Sequence, residues 1–132
     1  MRAAASTFTS LRHVNVFSLK RNSADVGALK EALRRLKSGG GILLFPEGTR
    51  SVDGEVHEGL QGVGFLARKS GVTVVPAFVK GTQNALPKGA KSLKPSPIEV
   101  IFGEPVVWKG SEEVSDLDIT KAIMQRLVSL KA

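Results

Sequence analysis

Apolar residues fall along this chain in two patterns: spaced sets that suit helices and dense short runs that suit strands. Val26, Leu29, Leu33 and Leu36 recur at helical spacing and predict one apolar face on a helix from about Ser23 to Ser38. Ser23 can cap its start, Asp25 suits the positive end of its dipole, and Gly39-Gly40-Gly41 closes it. Glu31 and Arg35 stand four apart on the wet side, in the order that favours an ion pair. Val63, Leu66 and Ala67 predict a shorter helix near Gly62 to Ser70, ended by Gly71. Ile119, Ile123, Leu127 and Leu130 predict a last helix, capped by Ser115 or Asp116.

The runs are Val14 to Leu19, Ile42 to Phe45, Val72 to Val79 and Ile98 to Phe102, with Val106 to Trp108 a short extension after Pro105. Val72 to Val79 is apolar on both faces, as a buried parallel strand should be. Gly81 to Pro97, rich in Gly, Pro and Lys, reads as a loop. Strands alternating with amphipathic helices imply an α/β fold: a largely parallel sheet flanked by helices, with Ile42 to Phe45 and Val72 to Val79 as neighbours. Neither an internal repeat nor an interdomain linker is visible, so 1–132 reads as a single domain.

Composition narrows the chemistry. A hydrophobic content of 42% supports a real core, and the absence of cysteine excludes disulfides, thiolate metal sites and a cysteine nucleophile. The net charge of +7 favours polyanionic partners: phosphates, anionic headgroups or nucleic acid. Nucleic acid ranks last, because aromatics make up only 5%, tyrosine is absent and most phenylalanines sit inside apolar runs. The longest apolar stretch, Val72 to Val79, is broken by Thr73 and Pro76 and is far short of a membrane span. Met1 to Leu19 lacks the continuous apolar core of a secretory signal. Its Ser, Thr and Arg content is compatible with an organellar transit peptide, and a surface helix is the plainer reading.

The sharpest constellation follows Ile42 to Phe45. There Pro46 fixes the exit direction, Gly48 lets a ligand approach the backbone, Thr49 and Ser51 offer hydroxyls, and Arg50 offers a planar fork suited to phosphate. Glu47 is the odd member of such an anion site: it can accept from a substrate hydroxyl, hold Arg50, or hold the loop backbone. Lys20-Arg21, after the first short run, would add a second phosphate-directed donor if it lay near this turn. An ordinary polar turn and a solvated charge pair are the plain alternatives.

Phe45-Pro46-Glu47-Gly48-Thr49-Arg50-Ser51 resembles, over all seven residues, the third sequence block of the lysophosphatidic acid and glycerol-phosphate acyltransferases. Phe17-Ser18-Leu19-Lys20-Arg21 is similar to that family's second block, and Val74-Val75-Pro76-Ala77 to its fourth. The likeness covers roughly 14–108. It implies a partial glycerolipid acyltransferase fold and transfer of an acyl chain from acyl-CoA or acyl-carrier protein, used as co-substrate without a further cofactor. The implied acceptor is a glycerol-phosphate lipid such as lysophosphatidic acid. By the same likeness Arg21, Glu47, Gly48, Thr49, Arg50 and Ser51 bind substrate, and the full-length enzyme works at a membrane surface, on its cytoplasmic face.

The family's first block, His-x-x-x-x-Asp, supplies the general base. His13 has Ser18 where the pattern wants Asp, and His57 lies beyond the third block in a polar loop. Many relatives also carry Lys near Gln61. The expectation is a truncated acyltransferase domain that keeps the substrate-binding part and is inactive alone. The alternative is a non-catalytic phosphate- or lipid-binding module.

Overall fold

A computed structural model describes residues 26–48, 54–87, 89–110 and 113–131. The elements in chain order are α1 (Val26–Lys37), α2 (Gly62–Ser70), β1 (Ala77–Lys80), α3 (Thr82–Ala85), β2 (Glu99–Phe102) and α4 (Asp116–Leu130). The expected run from Val14 to Leu19 and the cap at Ser23 lie outside the described residues. Among the described residues no helix is long and apolar enough to cross a membrane.

The core is helix on helix. Ile119, Ile123, Met124 and Leu127 of α4 close over Ala67 of α2, with Val56, Val63, Val74 and Trp108 packed at the edge. Leu66 is buried too, so the inward face expected of α2 is the face it uses. Gly71 ends α2 at φ +63°, its N–H donating to the Ala67 carbonyl, a left-handed cap that glycine adopts without a Cβ penalty. Ser115 is the cap of α4: its Oγ accepts from the Asp118 N–H at 3.1 Å and donates to the Asp118 carboxylate at 2.7 Å.

Two polar contacts fasten α2 to α4. The Gly64 N–H donates to Thr120 Oγ1 at 3.1 Å, and Arg68 pairs with Asp116 at 2.7 Å. The Thr120 hydroxyl donates in turn to the Asp116 carbonyl at 2.8 Å, so this buried oxygen is used as donor and acceptor. A Cβ on Gly64 would overlap the Asp116 carbonyl oxygen and lie 2.7 Å from Thr120 Oγ1. Glycine is what lets the two helices approach this closely.

α1 departs from expectation in what it covers. It packs on α2, with Leu29 against Gly62, and its fully buried residue is Ala32; Val26 is exposed and the three leucines are half-buried. The Glu31–Arg35 pair forms at 2.7 Å, and Arg34 joins it at 2.8 Å. Held by both guanidinium groups, first Arg34 and then Arg35, the Glu31 carboxyl falls to a pKa of about 2.

The elements are mixed α and β, and the sheet among the described residues is a two-stranded antiparallel pair where a largely parallel one was expected. β1 and β2 pair antiparallel, in the register Ala77 with Phe102 through Lys80 with Glu99. Val74 and Val106 continue the pairing as an antiparallel bridge. A parallel pair needs a crossover of a dozen or more residues carried across the sheet. Here the connection holds only the single turn of α3 and then folds back: the Lys94 N–H meets the Ala85 carbonyl at 2.8 Å, and the Pro97 carbonyl lies against Gly81. The chain therefore returns along the edge it left. Between Gly103, whose N–H bonds the Pro76 carbonyl, and Val106 the register slips by one residue, where Pro105 has no N–H to offer.

Ile42 to Phe45 also differs. It joins no ladder among the described residues, and it does not neighbour β1. Its exposure alternates as a strand's does: Ile42 and Leu44 are half-buried, while Leu43 is 81% and Phe45 68% exposed. The edge of β1 it was expected to take is not required by its sequence, since an apolar run states burial and not partner.

Candidate functional site

The turn after Phe45 is built by local chemistry. The Gly48 N–H donates to the Phe45 carbonyl at 3.1 Å, closing a four-residue turn with proline second and glycine last. Gly48 sits at φ +65°, in the left-handed region. A Cβ there would lie 2.8 Å from Leu60 Cδ1, so Gly48 is demanded by both its dihedral and its neighbour.

The segment that leads into α2 holds this turn at three points. The Leu60 N–H donates to the Pro46 carbonyl at 2.9 Å. The His57 N–H donates to Glu47 Oε2 at 3.0 Å. The Leu60 side chain lies over Gly48. The Leu60 carbonyl then accepts the Val63 N–H at 3.1 Å, so the clamp runs directly into the first turn of α2 and through it to the core. Of the three roles open to Glu47, its contact with the His57 backbone is the one of holding the loop. A carboxylate accepting a backbone N–H ten residues away stiffens the turn.

Of the six residues expected to bind substrate, Glu47 and Gly48 are brought together in this turn. Arg21, Thr49, Arg50 and Ser51 lie outside the described residues. His57 is exposed, as expected of a loop histidine, and contributes its backbone N–H to the site. Two members of the clamp were not foreseen. The His57 N–H carries no sequence signal, because any residue but proline offers one. Leu60 had a weak signal, an apolar residue just before α2 in a largely polar loop. Trp108 packs against the core. A shallow open depression between β2 and α4, floored by Pro76, Phe102 and Leu130, shares no lining residue with the turn.

The family model described as Acyltransferase matches residues 4–80, which takes in the whole turn and its clamp. The chloroplastic 1-acyl-sn-glycerol-3-phosphate acyltransferase LPAT1 of Arabidopsis thaliana is 36% identical over 96 residues, covering 70% of this chain and 27% of the relative. BAT2 of Brassica napus, a chloroplastic protein of the same name, is 33% identical over 106 residues, covering 78% of this chain and 31% of its own length. The chain thus spans less than a third of these two curated relatives. Among solved structures it is similar to the 1-acyl-sn-glycerophosphate acyltransferase PlsC from Thermotoga maritima, with a TM-score of 0.64 and 36% identity over 80% of this chain and 44% of that one.

Proposed function

This chain belongs to the acyltransferase family, and from that premise we propose that it is the acceptor-binding part of an enzyme of phospholipid biosynthesis. The reaction is transfer of an acyl chain from acyl-CoA or acyl-carrier protein to the free hydroxyl of lysophosphatidic acid. The carbonyl–sulfur bond of the thioester breaks, an ester bond forms, and the hydroxyl proton leaves with a base. The observation that carries this is the clamped turn from Phe45 to Gly48, a rigid start to the seven-residue motif.

Within this assignment Arg50, with its planar fork, and Arg21 neutralise the acceptor phosphate. Thr49 and Ser51 supply hydroxyls, and Gly48 supplies the left-handed turn over which the Leu60 side chain packs. Glu47 serves as scaffold, since its carboxylate already holds the loop backbone. We assign the base to neither His13 nor His57, because neither has Asp at the family's spacing. A positioned base supplies roughly 10²–10⁴-fold in rate, so the 132 residues alone should not transfer acyl groups. The enzyme's setting is a membrane surface, on the cytoplasmic face.

The test supplies acyl-CoA or acyl-carrier protein with lysophosphatidic acid or glycerol 3-phosphate and follows thiol release. The purified chain should be silent. Joined to an upstream segment bearing His-x-x-x-x-Asp, it should show release that depends on lysophosphatidic acid and falls in Arg21→Ala and Arg50→Ala variants. Unchanged acceptor affinity and turnover in both variants would overturn their role. Phosphate-lipid binding with no turnover in the joined protein would favour a non-catalytic binding module. Protease protection in intact cells checks the membrane face.

A further inference from the structure

We infer that the loop joining α3 to β2 is a membrane-surface contact built for anionic lipid bilayers. From Gly59 to Ile98 the chain has no acidic residue, yet it carries Arg68, Lys69, Lys80, Lys88, Lys91 and Lys94. The positive charge of the protein is therefore concentrated in this stretch, and its far end is the loop.

The loop is pinned and exposed. The Lys94 N–H donates to the Ala85 carbonyl at 2.8 Å, which brings its two sides together, and the Ala90 N–H donates to the Pro87 carbonyl at 2.9 Å, which turns its tip. Gly81 adopts φ +94° and lies so close to the Pro97 carbonyl that no Cβ would fit, which fixes the root. On this frame Leu86, Lys91, Leu93 and Lys94 all face solvent, and Leu93 is 76% exposed. The apolar character continues past Ile98 onto one side of the β-ladder, where Val79 faces Val100 and Phe102 stands next along, all exposed.

An apolar side chain held in water between two lysines suits one kind of surface. At the boundary of headgroups and acyl chains Leu93 leaves water while Lys91 and Lys94 meet lipid phosphates. A nucleic acid would satisfy the lysines but leave Leu93 solvated, and the loop offers no aromatic ring for bases to stack on. This surface shares no residue with the turn at Phe45 to Gly48 and does not require acceptor binding there.

The chain contains no cysteine, so Leu93→Cys places a single environment-sensitive fluorophore at the exposed position between Lys91 and Lys94. The whole 132-residue chain is mixed with vesicles of phosphatidylcholine alone, or with about a quarter phosphatidylglycerol, in both cases free of lysophosphatidic acid. The expected result is a blue shift and brightening only with the anionic vesicles. In flotation, the Lys91→Ala/Lys94→Ala variant should bind about 25-fold more weakly, roughly five-fold per lysine. A control pair, Lys69→Ala/Lys121→Ala, should stay within about two-fold. Equal loss in the control pair, vesicle binding without a fluorescence change, no binding to anionic vesicles, or a blue shift given by an oligonucleotide would each overturn the inference. Because the vesicles hold no acceptor, these outcomes leave the assignment of the turn untouched.

Discussion

Gly64 and Thr120 meet where α2 crosses α4: the glycine N–H donates to the threonine hydroxyl at 3.1 Å, in a space that would not admit a methyl group. Gly64→Ala should therefore destabilise the fold by about 3 kcal/mol or more, because the added carbon forces the helices apart. Thr120→Val keeps the shape and leaves the Gly64 N–H unpaired, at a cost of about 1–3 kcal/mol. Urea unfolding of both variants checks the order; an alanine tolerated without loss would show that the crossing is looser than described.

The clamp on the turn gives a coupled pair. Gly48→Ala carries a left-handed backbone cost of about 1–2 kcal/mol and an overlap with Leu60. Leu60→Ala should relieve the overlap and leave the backbone cost. The double variant should thus be more stable than the sum of the single effects by about 1 kcal/mol. Additive unfolding energies would mean that Leu60 does not sit over Gly48.

Glu47→Gln keeps an oxygen for the His57 N–H, while Glu47→Ala removes it. Amide exchange at His57 should therefore quicken by about five-fold or more in the alanine variant and change little in the glutamine variant, corresponding to about 1 kcal/mol. Under the proposed function, in the protein joined to a His-x-x-x-x-Asp segment, the same pair separates scaffold from chemistry: a scaffold carboxylate predicts that the glutamine variant retains turnover.

Acid should loosen α1. The Glu31 pKa in the fold, about 2, lies below its ordinary value because Arg34 and then Arg35 hold the carboxylate. A depressed pKa contributes stability above the unfolded value near 4.5, and that contribution is lost as pH falls towards 2. A carboxyl carbon titration of Glu31 should show the low midpoint, and Glu31→Gln should abolish this part of the acid sensitivity. High salt should raise the midpoint, since the pair is solvent-facing.

Ser115→Ala should cost about 1 kcal/mol through loss of the cap of α4, with thermal unfolding as the measurement. Asp116→Ala acts differently, through the Arg68 pair, and a salt-dependent loss distinguishes it.

What was legible in the sequence is local. The spacing of Ile119, Ile123 and Leu127, the inward face of α2 and the stop at Gly71 are set by periodicity and glycine chemistry, and each element stands where its residues place it. The direction of pairing was not legible. It is decided by two backbone meetings, Lys94 with Ala85 and Pro97 with Gly81, that no periodicity encodes. The same holds within the turn. Residue types announced Pro46 and Gly48, but the His57 donor is a backbone group, and an apolar run such as Ile42 to Phe45 does not say what lies beside it.

The grip of α4 on α2 has a consequence during synthesis. Their contacts join residues 48 and 56 apart in the chain, and closing a loop of that size costs roughly 3–4 kcal/mol before any contact repays it. As the chain leaves the ribosome, Leu66 and Ala67 stay uncovered until Ile119, Ile123 and Leu127 emerge. The segment that matches the family ends at Lys80, before the helix that closes the core. A protein cut at that boundary would keep the recognisable motif and lose the partner that folds around it.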